Sequence, residues 1–118
     1  MIVRMSTRIP WDKYETALLI DMYIQVRDNK IKRNDAVKEL SNILRSYAYN
    51  KGQDIDAVYR NENGISMRMY EMKSLFGDGN GLKKTSRLFS DMVDLYRNNR
   101  KEYDNILHIA KTEYCKDI

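Results

Sequence analysis

The sequence predicts an all-α fold: a compact single domain of five or six helices spanning residues 1–118, with its core between about 11 and 114. Three observations carry that expectation. Apolar residues recur at spacings of three and four along most of the chain. No segment alternates apolar and polar residues for more than about four positions, which is too short for a strand. One proline and no low-complexity tract in 118 residues leave no long disordered segment expected.

The first helix starts at Asp12, with Glu15 three residues on to complete a capping box. It runs through Tyr14, Leu18, Met22 and Val26, and Ala17, Leu19 and Tyr23 widen its apolar face. The polar stretch RDNKIKRND breaks it. A second helix begins near Asn34, repeats Val37, Leu40, Ile43, Leu44 and Tyr47, and stops at Gly52. DIDAVYRN reads as one or two further turns using Ile55, Val58 and Tyr59.

Gly64 separates the next helix, for which Ser66 serves as N-cap and Ile65 with Tyr70 as a hydrophobic staple. Its apolar stripe is Ile65, Met69, Met72 and Phe76, and Gly77 ends it. Thr85 or Ser86 caps the following helix, which buries Leu88, Phe89, Met92, Val93 and Tyr96. Asn99 with Glu102 opens the last, carrying Tyr103, Ile106, Leu107 and Ala110.

Composition bounds the function. At 42% hydrophobic and 32% charged residues, the chain can fold and keep a solvated surface. No apolar run approaches the roughly 20 residues that cross a bilayer, so no membrane partner is expected. MIVRMSTRIP lacks the apolar centre of a signal peptide, and the lone Cys115 has no disulfide mate, so the expected location is cytoplasmic. The net charge of +4 is mild and evenly divided between the halves. One local asymmetry counts for more: GNGLKKTSRLFS, residues 79–90, holds Lys83, Lys84 and Arg87 with no acid among them.

Catalytic chemistry finds little to work with. The one histidine, His108, and the one cysteine, Cys115, are seven residues apart in the last helix. That separates them by roughly 10 Å, too far for a nucleophile and its base. One His and one Cys cannot assemble a zinc site, and no cofactor or metal is expected.

The glycine loop FGDGNGLKKTS fails three familiar patterns. Counting from Gly79, Lys84 stands where both a Walker loop and a dinucleotide-binding loop need glycine. With Asp78 as the third position of a calcium loop, Phe76 and Arg87 fall at the first and twelfth, where carboxylates are required. What survives is a helix start with partial positive charge, flanked by Lys83, Lys84 and Arg87 and by the Thr85 and Ser86 hydroxyls. That set suits a nucleic-acid phosphate, and equally a plain helical corner kept soluble by lysines.

The helix before the loop shows Met67, Arg68, Tyr70, Glu71, Lys73 and Ser74 opposite its apolar stripe. Arg for guanine, Ser for any base and Tyr or Met for apolar contact would let it read base edges; it is also an ordinary solvated face. The expected nucleic-acid-contacting set is Ser66, Arg68, Tyr70, Lys73, Lys83, Lys84, Thr85, Ser86 and Arg87, with DNA as partner. Nine tyrosines and seven methionines leave a second reading open, a small protein-interaction module.

The segments WDKYETALLIDMY, NGISMRMYEMKSL and GLKKTSRLFSDMVDLY together resemble a small helical domain. That domain stands on the N-terminal side of bacterial HNH-type endonucleases and related restriction or phage-defence proteins. Ser66 to Met72 fall on its Ser/Thr-capped helix; Gly81, Leu82, Ser86, Arg87 and Leu88 fall on its Gly-Leu-x-x-x-Ser-Lys-Leu stretch. The resemblance covers Trp11 to Tyr103. It implies a non-enzymatic, helix-turn-helix-like DNA-binding module with Ser66 to Lys73 as recognition helix. No nuclease motif follows, so the expectation is a recognition module without its effector: a regulator, a subunit, or a piece carried by a phage or mobile element. On the second reading the interaction module is instead a subunit or a phage-borne or mobile-element inhibitor that docks on a nuclease or other defence enzyme.

Overall fold

The computed structural model describes residues 9–77 and 86–116, and all regular structure in them is helical. The helices are α1 (Lys13–Arg27), α2 (Arg33–Asn50), α3 (Glu62–Leu75), α4 (Arg87–Asn98) and α5 (Arg100–Tyr114).

Local chemistry accounts for most boundaries. The Asp12 carboxylate accepts from the Glu15 N–H at 2.8 Å, and Glu15 accepts from the Asp12 N–H at 3.2 Å, completing the expected capping box. α1 ends in a Schellman pattern: Lys30 N–H donates to the Gln25 carbonyl and Asn29 N–H to that of Val26, with Asn29 at φ 60°. Gly52 repeats the pattern after α2 at φ 78°, a backbone conformation that strains any residue with a Cβ. Ser86 caps α4 by accepting from Phe89 N–H at 3.0 Å. Asn99 ends α4 and caps α5, accepting from Glu102 N–H at 3.3 Å.

Two expectations are corrected. DIDAVYRN is not helical: the Asp56 carboxylate accepts from the Val58 and Tyr59 N–H groups at 3.0 and 2.9 Å, and this side-chain turn takes the donors a helix would use. Val58 consequently stands in solvent. The start of α3 also moves. Asn61, not Ser66, is its N-cap, accepting from Gly64 N–H at 2.8 Å. Gly64 therefore sits inside the first turn, where a Cβ would come within 3.1 Å of the capping oxygen. Ile65 is buried but Tyr70 is exposed, so the expected staple does not form.

α1 is the axis of the domain. It packs against all four other helices, while α2, α3, α4 and α5 surround it, each touching the next and α5 closing back on α2. The six consecutive residues Glu15 to Ile20 are all buried, as a helix enclosed on every side requires. Around it the apolar stripes of the other helices hold as expected: Ile65, Met69, Met72 and Phe76 from α3, Phe89, Met92 and Val93 from α4, Tyr103, Ile106 and Ala110 from α5. Tyr103 reaches inward to donate its hydroxyl to the Ala17 carbonyl at 2.8 Å, and burial raises its pKa.

Enclosing α1 places a carboxylate in the core. Glu15 is answered by Arg60, whose Nε and Nη2 donate to its two oxygens at 2.9 and 3.1 Å, both side chains being almost fully buried. The same guanidinium donates to the carbonyls of Ile9 and Pro10 and lies 4.7 Å from the Trp11 ring centroid and 4.5 Å from that of Tyr59. Arg60 holds φ 46°, left-handed for a residue with a side chain. Ser41 of α2 fixes that conformation by donating to the Arg60 carbonyl at 2.6 Å, and Arg45 donates to the carbonyls of Asp56 and Tyr59.

Arg60→Met is expected to cost about 3–5 kcal/mol at neutral pH, measured by urea unfolding, because it leaves a buried carboxylate unpaired. Burial also pushes the Glu15 pKa above 4.5, outweighing the pull of Arg60. Glu15 thus holds its proton more tightly folded than unfolded. Its contribution to stability is full below 4.5 and is lost as pH rises through the raised folded value. Glu15→Gln should remove that decline, so as pH rises above 4.5 the unfolding midpoint of the variant should fall less than that of the wild type. Identical pH profiles would contradict it.

Candidate nucleic-acid interface

The exposed side of α3 differs from the expected face. Arg68 and Tyr70 are two residues apart and so project about 160° apart around the helix. Tyr70, Met67 and Lys73 are exposed. Arg68 turns the other way: its guanidinium pairs with Glu71 at 2.5 Å and lies 5.6 Å from the Phe89 ring centroid and 6.0 Å from that of Trp11. Glu71 is buried, so the pair seals the seam between α3 and α4. Glu71 therefore leaves the solvent-facing set, while the Arg68 side chain stays 41% exposed at the seam; apolar neighbours on α4 and before α1 turn the pair toward them, which spacing along α3 alone does not reveal.

A guanidinium from α2 reaches the outer face. Arg33 lies 4.2 Å over the Tyr70 ring centroid. Its Nη2 donates to the Ser66 carbonyl at 3.0 Å and to the Ser66 hydroxyl at 2.7 Å. Ser66 is thus a mid-helix anchor for Arg33. Two exposed lysines, Lys30 and Lys32, precede Arg33 in the chain, and Lys73 lies one turn beyond Tyr70. Arg33 is the residue that reading along the helix missed; its only sequence signal was the KIKR run, taken there as a helix break.

The phosphate cluster is partly described. Lys83, Lys84 and Thr85 lie outside the described residues. Ser86 is exposed and uses its hydroxyl oxygen as the α4 cap. Arg87 projects almost entirely into solvent and approaches Asp91 at only 3.9 Å, an exposed pair of small energetic weight. No acid occupies the first turn of α4.

Other chemistry-bearing residues lie elsewhere. His108 is exposed on α5, and burial pushes the Cys115 thiol up, away from its reactive thiolate form. Among the described residues no three His, Cys, Asp or Glu side chains gather as metal ligands, and no helix is long and apolar enough to cross a membrane. Compared with known proteins, the chain matches no family model, no curated protein and no solved structure.

Arg68→Ala is expected to lower stability by about 1–3 kcal/mol by stranding the buried Glu71 carboxylate. Lys73→Ala, at an exposed position, should leave the thermal midpoint in place. Parallel thermal melts of the two variants check the contrast.

Proposed function

We propose that the chain is a non-enzymatic, helix-turn-helix-like DNA-binding module, in which α3 faces the groove and the start of α4 meets the phosphates. The observation that carries this reading is the outer face of α3, where Arg33 lies 4.2 Å over the Tyr70 ring centroid and the exposed Lys73 follows one turn along the helix. A guanidinium fixed by an aromatic ring and a serine keeps its remaining N–H groups free for base edges or phosphate. Lys83, Lys84 and Arg87 add the acid-free basic stretch at the α4 start. The pattern that resembles the N-terminal helical domains of HNH-type endonucleases supports a role linked to phage defence, as regulator or stand-alone recognition module.

A second reading has its own observation. Met67 is 68% exposed and Tyr70 55% on the same helix, the kind of adaptable apolar surface that docks on proteins. On this reading the chain is a small interaction module or inhibitor that binds a nuclease or another defence enzyme.

A gel shift with random duplex DNA at low salt separates the two: binding in the micromolar range under the first, none under the second. Replacing Lys83, Lys84 and Arg87 with Ala is expected to weaken binding evenly across sequences and flatten the salt slope by up to about three units. Unchanged affinity with unchanged salt dependence would sink the phosphate contact.

A further inference from the structure

Beyond the α3 face, three arginines from three helices converge on one aromatic cluster. Phe76, the buried cap of α3, stacks with Tyr23 at 5.4 Å between centroids and meets Tyr96 edge-on at 5.5 Å. Over the Phe76 ring lie the guanidinium groups of Arg97, from the last turn of α4, at 5.1 Å and Arg27, from the end of α1, at 5.8 Å. Arg100, the first residue of α5, sits 3.6 Å over the Tyr96 ring and donates from Nε to the Tyr96 carbonyl at 2.9 Å.

Like charges brought to one aromatic cluster repel, and an anion would offset the repulsion. Arg27 pairs with Asp28 at 3.5 Å. Among the described residues no carboxylate pairs with Arg97 or Arg100, and both residues are exposed. Each lies over an aromatic ring, and the N–H groups that the ring does not engage can donate outward. Phe76 closes α3 three residues beyond Lys73, so the corner stands at the C-terminal end of that helix.

We infer that Arg97 and Arg100, at the α4–α5 corner beside Phe76, form a second phosphate contact for the nucleic acid that the α3 face engages. The inference rests on the DNA-binding reading and extends it: the backbone would be gripped at both ends of the groove-facing turns of α3. The corner is built for this by the single-residue junction at Asn99, which sets the last turn of α4 against the first of α5.

The test titrates the full chain against a short fluorescent random-sequence duplex over a range of salt. Arg97→Gln with Arg100→Gln should flatten the salt slope by about two units, and each single variant by about one. Arg97→Lys with Arg100→Lys, which keeps both charges, should retain the wild-type slope. Thermal melts run beside each titration, and the single variants carry the test if the double Gln variant does not fold. A wild-type slope in the Gln variants overturns the second contact and leaves the α3 reading standing on wild-type binding. An equal loss in the Lys pair would make the effect one of packing and overturn it as well. Failure of the wild-type chain to bind duplex at low salt brings down both.

Discussion

A buried carboxylate organises this domain. α1 is enclosed by four helices, so a glutamate in its first turn cannot reach water, yet that residue is needed to close the capping box that starts the helix. Arg60 resolves the conflict by bonding both Glu15 oxygens, and its remaining donors bind the chain entering α1. To reach that position Arg60 adopts a left-handed backbone, held by Ser41 from below and by the Asp56 turn in front. One ion pair thereby fixes the entry to α1, the connection between α2 and α3, and the seat of Trp11. A hydrophobic pair of similar size could fill the volume, but it would not tie down the carbonyls of Ile9 and Pro10.

The same economy of paired charge divides α3. Its inner edge is closed by Arg68 and Glu71 against Trp11 and Phe89, leaving the outer side to Met67, Tyr70 and Lys73. Arg33 crosses from α2 to cover one side of Tyr70 and bond to Ser66. Two arginines of identical chemistry thus take different partners, one a buried glutamate toward α4 and the other the Tyr70 ring, because their neighbours differ. The proposed nucleic-acid contact consequently draws on the α2 start, the α3 face and the α4–α5 corner rather than on α3 alone.

Helix number and type, the capping box at Asp12, the stops at Gly52 and Gly77, the Ser86 and Asn99 caps and the inward stripe of α3 were legible because each is a local matter. A side chain meets a backbone group within four residues, or a spacing of three and four meets one flat core. The α3 start was misread for the same reason: Asn61 and Ser66 are both competent caps, and Gly64 between them looks like a break until its missing Cβ is seen to make room for the Asn61 oxygen. DIDAVYRN was misread because Asp56 offers its own turn to the N–H groups that periodicity would assign to a helix.

By itself, then, the sequence determined that the chain is all-α, where most helices begin and end, and which stripe each turns inward, since those follow from hydrogen-bond geometry and helical period. Only the tertiary structure decided that α1 lies at the centre, that Glu15 and Arg60 meet across 45 residues, and that Arg33 of α2 comes to lie over Tyr70 of α3. Those outcomes depend on which rings and charges other helices bring alongside, and no spacing within one helix encodes its neighbours.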